Sequence, residues 1–215
     1  MVRLSHCART IPAAICCLTF AGCGGAGSSG SATVTGAVGG TNYSALAFSE
    51  VTAVVVRNDL CTVDHVQSAY SAIEILLSLR PGLCQSESTQ VQPANNTLII
   101  LDLEETSATS SAALPLGSYT VGPAGHTTGT DASGNPYSAT ATAETLDTTC
   151  SLVGGAAATG GTVSISAIDG NDVTGSFSIS FGSGALVGTF ATAPCALTNE
   201  QFCAAKLPRQ LTCSD

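Results

Sequence analysis

The chain has 215 residues, and its 6 Lys and Arg are outnumbered by 15 Asp and Glu, which gives a formal net charge of −9. This acidic balance excludes nucleic acid and anionic lipid as favoured partners of the surface. Charged residues make up only 10% of the chain, against about 25% in an average soluble domain, so uncharged polar residues must fill most surface positions. The length corresponds to one domain with a sizeable core.

The first 22 residues have the pattern of an export signal. Arg3 and Arg9 form a positive segment, and residues 11–20 form an apolar stretch that is too short to span a bilayer. This stretch runs into Phe20-Ala21-Gly22-Cys23, where two small residues precede a cysteine as in the leaders of bacterial lipoproteins. We predict a signal peptide over residues 1–22 and lipidation of Cys23. Since Phe20 stands where Leu is commonest, a secretory leader cut nearby is the alternative.

The residues after the cysteine indicate where the anchored protein resides. Gly24 replaces the Asp that usually retains lipoproteins in the inner membrane, which favours the outer membrane, on its periplasmic or cell-surface face. Residues 23–31 are predicted to be the lipidated cysteine and a flexible Gly/Ser tether. Because two or three acyl chains anchor a protein firmly, we expect membrane contact through the N-terminal lipid only.

Hydrophobic residues alternate with polar ones from Ala32 onward, which predicts β-strands. A hairpin is expected at Gly39-Gly40, and the valine-rich segment Val51 to Val56 is expected to be buried on both faces. In residues 173–181 the apolar side chains alternate with Thr and Ser, which predicts one buried and one wet face. The predicted strands are 32–38, 41–48, 51–56, 97–103, 114–121, 137–146, 162–168, 173–181 and 185–192.

Two helices are predicted among the strands. The first begins at Asp64, has Val66, Tyr70, Ile73 and Leu77 on one face, and ends before Pro81. A second, short helix is expected to begin at Thr198.

These elements predict a mainly β fold, either an antiparallel β-sandwich or an up-and-down β-barrel, with one inserted helix and a short C-terminal helix. The β domain is expected to span residues 32–195, and residues 196–215 are expected to form a disulfide-linked C-terminal segment.

The predicted export determines the expected state of each cysteine. Three leave with the leader and Cys23 is acylated, which leaves six. An even number in an oxidising compartment predicts three disulfides, and we expect neighbours in sequence to pair. Their spacings do not fit a zinc site, so neither a metal nor a cofactor is predicted. The expected pairs are Cys61 with Cys84, Cys150 with Cys195, and Cys203 with Cys213.

Several strand and turn motifs resemble those of a group of small, uncharacterised β-rich lipoproteins common in myxobacteria and related bacteria. The motifs are T-V-T-G-A-V-G-G-T-N-Y-S-A, S-E-V-T-A-V-V-V, L-G-S-Y-T-V-G, V-T-G-S-F-S-I-S-F and L-V-G-T-F-A-T-A-P-C. The resemblance covers Ala32 to Cys195 and implies a compact β domain on a lipid anchor, without a known activity or functional residues. Cys203 and Cys213 depart from this pattern.

No catalytic residue is predicted. His65 and His126 have no neighbouring residues in a known catalytic frame, and the G-x-S-x-G motif is absent. Two acidic groups, Asp102 with Glu104 and Glu105, and Asp169 with Asp172, have the chemistry of calcium ligands, but a solvated strand end and an ordinary turn explain them better.

The leading hypothesis is a non-enzymatic binding or structural module on the envelope, with an unknown protein or small-molecule ligand. The alternative is a β-barrel carrier of a small apolar ligand. An enzyme would be indicated only if His65 or His126 lay in a cleft beside a serine or a carboxylate.

Overall fold

The structure, a computed structural model, describes residues 29–63, 66–89, 91–107, 113–124, 126–130, 134–195, 197 and 212–214. Most of them are in β-strands, which confirms the mainly β fold. A 3-10 turn follows β2 at Tyr43–Ala45. The elements are β1 (Ser31–Val38), β2 (Thr41–Asn42), β3 (Glu50–Val63), β4 (Val66–Ser78), α1 (Leu83–Thr89), β5 (Val91–Pro93), β6 (Thr97–Ser107), β7 (Gly117–Val121), β8 (Gly129–Thr130), β9 (Pro136–Leu146), β10 (Leu152–Asp169), β11 (Asp172–Phe181), β12 (Gly184–Ala191), β13 (Ala193–Pro194) and β14 (Thr212–Ser214).

Twelve strands form one curled open sheet in the order β13-β3-β4-β6-β9-β10-β11-β12-β1-β2, with β7 beside β10 and β8 beside β9. The pairs are antiparallel except β13 with β3, which is parallel. The curl brings β3 close to the turn between β10 and β11. There the Arg57 guanidinium donates to the Gly170 carbonyl oxygen and, at 3.2 Å, to Asn171 Oδ1. This contact ties together two strands that are distant in the sheet order.

One hydrophobic core fills the inside of the curl. Side chains from β1, β3, β4, β6, β7, β9, β10, β11 and β12 meet there. Tyr119 and Tyr137 pack edge to face with ring centroids 4.9 Å apart, and Phe177 stacks on Phe190. Alternate residues of each strand point inward because side chains alternate across a strand.

The outer face of β3, β4 and β6 is also covered. Leu83 of α1 packs with Leu76, Leu98 and Leu146 in a second cluster. Val54 and Ala72 pack with Cys195 in a third. This cover explains why the valine-rich segment is buried on both faces, as predicted, with only Val55 half-buried.

The predicted helix from Asp64 to Arg80 is wrong, because residues 66–78 are the strand β4. Ile73, Ile75 and Leu77 point into the main core, whereas Ala72 and Leu76 point outward into the two smaller clusters. With apolar residues on both faces, the strand loses the period of two and mimics a helical pattern. Hydrogen bonding to β3 on one side and to β6 on the other then outweighs the local helical propensity of this segment.

A helix does occur, but it begins where the predicted one was expected to end. The Glu50 carboxylate of β3 accepts the backbone N–H groups of Gly82, Leu83 and Cys84 at 2.6, 2.9 and 2.8 Å. These donors have no partner within the first helical turn, so the carboxylate satisfies them and complements the helix dipole. The second predicted helix, from Thr198, lies outside the described residues.

The expected disulfide pairs are wrong, although oxidation of the cysteines is confirmed for two pairs. Cys84 is bonded to Cys195 and Cys150 to Cys213, across 111 and 63 residues of sequence. Long-range strand pairing explains both. The parallel contact of β13 with β3 places Cys195 beside β3, where its N–H donates to the Ala53 carbonyl at 2.7 Å. The parallel contact of β14 with β5 positions Cys213. Cys61 is also disulfide-bonded, and Cys203 lies outside the described residues.

Candidate binding surfaces

The acidic residues of β6 do not converge, because strand geometry separates them. Asp102 and Glu104 lie on the outer face of the sheet, and Glu105, only 5% exposed, lies on the opposite face. Asp169 and Asp172 face each other where β10 and β11 meet the turn. In the part of the chain that the structure describes, no three His, Cys, Asp or Glu residues are grouped to hold a metal ion.

A cleft of about 360 Å³ lies beside Asp102 and Glu104. Its far wall is the loop that carries His126, and its floor is β9, where Thr140 and Ser138 stand opposite the two acidic residues in the ladder. We name this the acidic cleft; it is lined by Asp102, Glu104, Ala124, His126, Thr127, Pro136, Tyr137, Ser138 and Thr140. The structure thus brings His126, which the sequence presented alone, beside Asp102 and Glu104, which it presented as part of one acidic group. His65 lies outside the described residues, as does Cys23.

His126 thus lies in a cleft with Asp102, Glu104 and Ser138, which is the placement that the sequence analysis named as the one that would indicate an enzyme. His126 is exposed, and within the described chain no hydrogen bond joins it to Ser138. A serine nucleophile requires a base within hydrogen-bond distance that a third group orients. Among the described residues the serine–histidine hydrogen bond of acyl transfer is thus not formed, whereas the two carboxylates can hold a polar or cationic group.

A second depression, of about 410 Å³, lies on the other half of the sheet, where the strands carry no outer layer of described residues. Sequence inspection predicted a wet face for residues 173–181 but did not predict this groove. We name it the hydroxyl groove. Seven of its ten lining residues are Ser or Thr: Thr33, Thr35, Thr162, Ser164, Ser176, Ser178 and Thr189, together with Phe177, Val187 and Gly188.

The hydroxyl groove follows from the register of four strands, β1, β12, β11 and β10, and the two rows of side chains that run through it continue onto β7. One row runs straight across the sheet through Thr33, Thr189, Ser176, Ser164 and Ser118. The next row, two residues further along each strand, consists of Thr35, Val187, Ser178, Thr162 and Thr120. Within the first row, the hydroxyl oxygens of Thr33 and Thr189 are 2.8 Å apart, as are those of Ser118 and Ser164. Neither row contains a charged side chain.

The groups with shifted pKa values among the described residues are Glu144 near the end of β9, Asp147 just after it and Tyr43 in the 3-10 turn after β2. Burial raises the pKa of Glu144, although a hydrogen bond with Thr142 opposes the shift. Burial and the nearby Glu144 carboxylate raise the pKa of Tyr43. Hydrogen bonds from the Thr149 hydroxyl and from the N–H groups of Thr149 and Ser151 lower the pKa of Asp147. These bonds shape the loop that holds Cys150.

The raised pKa of Glu144 predicts a pH-dependent stability. Ionisation of this carboxyl is less favourable in the folded protein than in the unfolded chain. The contribution of Glu144 to folding stability is therefore fully present at low pH and is lost as the pH rises through the raised pKa. Glu144→Gln should therefore raise the thermal midpoint at neutral pH. The difference should vanish when Glu144 is protonated in both states, which a series of melting curves from acidic to neutral pH tests. A difference that is the same at every pH would contradict the assignment.

None of the helices that the structure describes has the length and apolar character needed to cross a membrane. Comparison of the chain with protein-family models, curated proteins and solved structures finds no significant match.

Proposed function

We propose that the protein is an exported, lipid-anchored lipoprotein of the bacterial envelope, held at the outer membrane through acylated Cys23, and that its β domain is a non-enzymatic binding module. The observation that carries the proposal is the oxidised state of the cysteines. All five cysteines of the described chain are in disulfides. Such bonds persist in oxidising compartments outside the cytoplasm, which agrees with a leader and a lipidated cysteine at the N-terminus.

The position of the first strand supports the anchored arrangement. The sheet begins at Ser31, eight residues after Cys23. Even a fully extended chain covers only about 3.3–3.6 Å per residue, so this segment would hold the β domain within roughly 30 Å of the anchored cysteine. The domain would therefore reside near the membrane surface while its own residues stay out of the lipid.

The described cavities favour a binding module over a carrier of an apolar ligand. The inside of the curled sheet is filled by large buried side chains, among them Tyr43, Tyr119 and Leu101. The acidic cleft and the hydroxyl groove both lie on the outer face of the sheet, the first beside Asp102 and Glu104 and the second with seven Ser or Thr among its ten lining residues. Apolar ligands are usually held in concave, mostly apolar pockets.

Metabolic labelling with an alkyne-tagged fatty acid tests the anchor. The wild-type chain should incorporate the label and fractionate with membranes, and Cys23→Ser should lose both properties because it lacks the acylated thiol. A chain that carries Cys7→Ser, a cysteine within the predicted leader, serves as the matched control and should stay labelled. Equal labelling of the Cys23→Ser variant, or an unlabelled wild type, would overturn the proposal.

A further inference from the structure

We propose that the hydroxyl groove is a docking site for a neutral polysaccharide. The proposal deepens the binding role described above and rests on it. The Ser and Thr side chains of the groove alternate outward, so they do not contribute to the core. The ten lining residues of the groove come from four neighbouring strands, which at about 4.8 Å per strand extend over about 14 Å. This length fits several units of a linear polymer better than one small molecule.

The hydrogen-bonding groups of the two rows indicate which class of ligand they can bind. Each Ser or Thr hydroxyl donates one hydrogen bond and accepts up to two, so a row of them matches groups that also do both. Sugar hydroxyls have this property, whereas phosphates and carboxylates only accept. The net charge of −9 further opposes anionic polymers.

The apolar groups in the groove match the other surface of a sugar. Val187 stands in the middle of the second row and is 51% exposed. Phe177 also borders the groove but is only 3% exposed, so Val187 is the apolar side chain that a ligand there can contact. A pyranose ring presents hydroxyls along its edge and C–H groups on its faces. A strip of hydroxyls around one aliphatic side chain therefore contacts both kinds of group.

A protein partner fits this surface less well. The centre of a protein interface is typically apolar and rich in aromatic side chains. Val187 is the single exposed large hydrophobic residue in the two described rows. Burying it against a second copy of the chain would remove little apolar surface from water, so a stable dimer through this face is not expected.

The groove lies close to the proposed anchor. Thr33 is two residues beyond Ser31, where the sheet begins, so the first row is about 7 Å from the point where the tether joins the domain. A polysaccharide that lies along the envelope would therefore be close enough to contact the groove.

Co-sedimentation with insoluble neutral glucans tests the proposal. The full chain, solubilised in a neutral detergent, is mixed at high salt with cellulose, an insoluble β-1,3-glucan or cross-linked dextran, and the bound fraction is measured. We expect retention by at least one of them. Thr33→Val with Thr189→Val should weaken the apparent affinity at least tenfold, because it removes the paired hydroxyls at one end of the row. Valine keeps the β-branched shape, so the strands should form normally, and a melting curve verifies this.

Thr62→Val is the matched control, since Thr62 is exposed on β3, outside both rows. It should bind as the wild type does. The proposal is overturned if no glucan retains the wild type, if the double variant binds equally well, or if high salt abolishes binding. It is also overturned if sedimentation analysis detects a wild-type dimer that the double variant fails to form. If the protein binds no glucan but still incorporates the fatty-acid label, the polysaccharide proposal is wrong and the proposal of a lipid-anchored envelope protein is unaffected.

Discussion

Replacement of Cys84 and Cys195 by serine should lower the free energy of unfolding by about 4–5 kcal/mol, the largest loss we expect from any pair of substitutions. This bond closes a loop across 111 residues of sequence, and in the chain-entropy account a long loop restricts the unfolded chain most. It also packs on Val54 and Ala72, so its loss uncovers part of the outer face of β3 and β4. Denaturant unfolding of the oxidised proteins measures the difference.

The double alanine variant at the same two positions is the control for side-chain chemistry. Cys195 is buried, so a serine hydroxyl there adds a desolvation cost that alanine avoids. If the bond is responsible, both variants should lose stability to a similar extent. A loss below about 1 kcal/mol in both would mean that the bond hardly restricts the unfolded chain.

Gly188→Ala should destabilise the protein by about 3 kcal/mol, near the upper end of the usual effect of overpacking. A Cβ atom at this position would lie 2.5 Å from the Thr33 carbonyl oxygen and 2.6 Å from Phe177 Cζ. Gly188 lies on β12 between β1 and β11, where it pairs with Val34 of β1 and with Phe177 of β11. The added methyl group must therefore push β1 away from β12 or move Phe177 off the Phe190 ring.

Gly182→Ala provides the matched comparison, because a Cβ atom there would meet no atom within 4 Å. Its free energy of unfolding should stay within about 0.5 kcal/mol of the wild type. If both alanine variants were equally stable, the close approach of Phe177 to β12 would be wrong.

The sequence predicted the strands best where one face is buried and the other is wet. In β11, Val173, Phe177, Ile179 and Phe181 are buried and the Ser and Thr between them are exposed, as the alternation indicated. The prediction failed for β4, whose outer face is covered by Leu83 of the helix that follows it and by residues distant in sequence. It also missed the first ten residues of β10, Leu152 to Gly161, which are mostly Gly and Ala and have low strand propensity.

The surfaces were harder to predict than the strands. Asp102 and Glu104 were noted as one acidic group and His126 by itself, but their common cleft depends on a loop folding back over β6 and β9. The hydroxyl groove requires the register of four strands from two parts of the chain, β1 and β10 to β12. The disulfides depended on two parallel strand pairs that no local pattern signals. Local alternation therefore specified which side chains face outward, and pairing between distant strands decided which of them meet.

The central claim, an oxidised β domain held on the envelope by a lipidated Cys23, is tested most directly by a peptide map of the membrane-extracted protein without reduction. We expect an N-terminal peptide that begins at Cys23 and carries the mass of its acyl chains. The same digest should contain peptides that join Cys84 to Cys195 and Cys150 to Cys213. An intact leader with unmodified Cys23, together with free thiols at these four positions, would contradict the account.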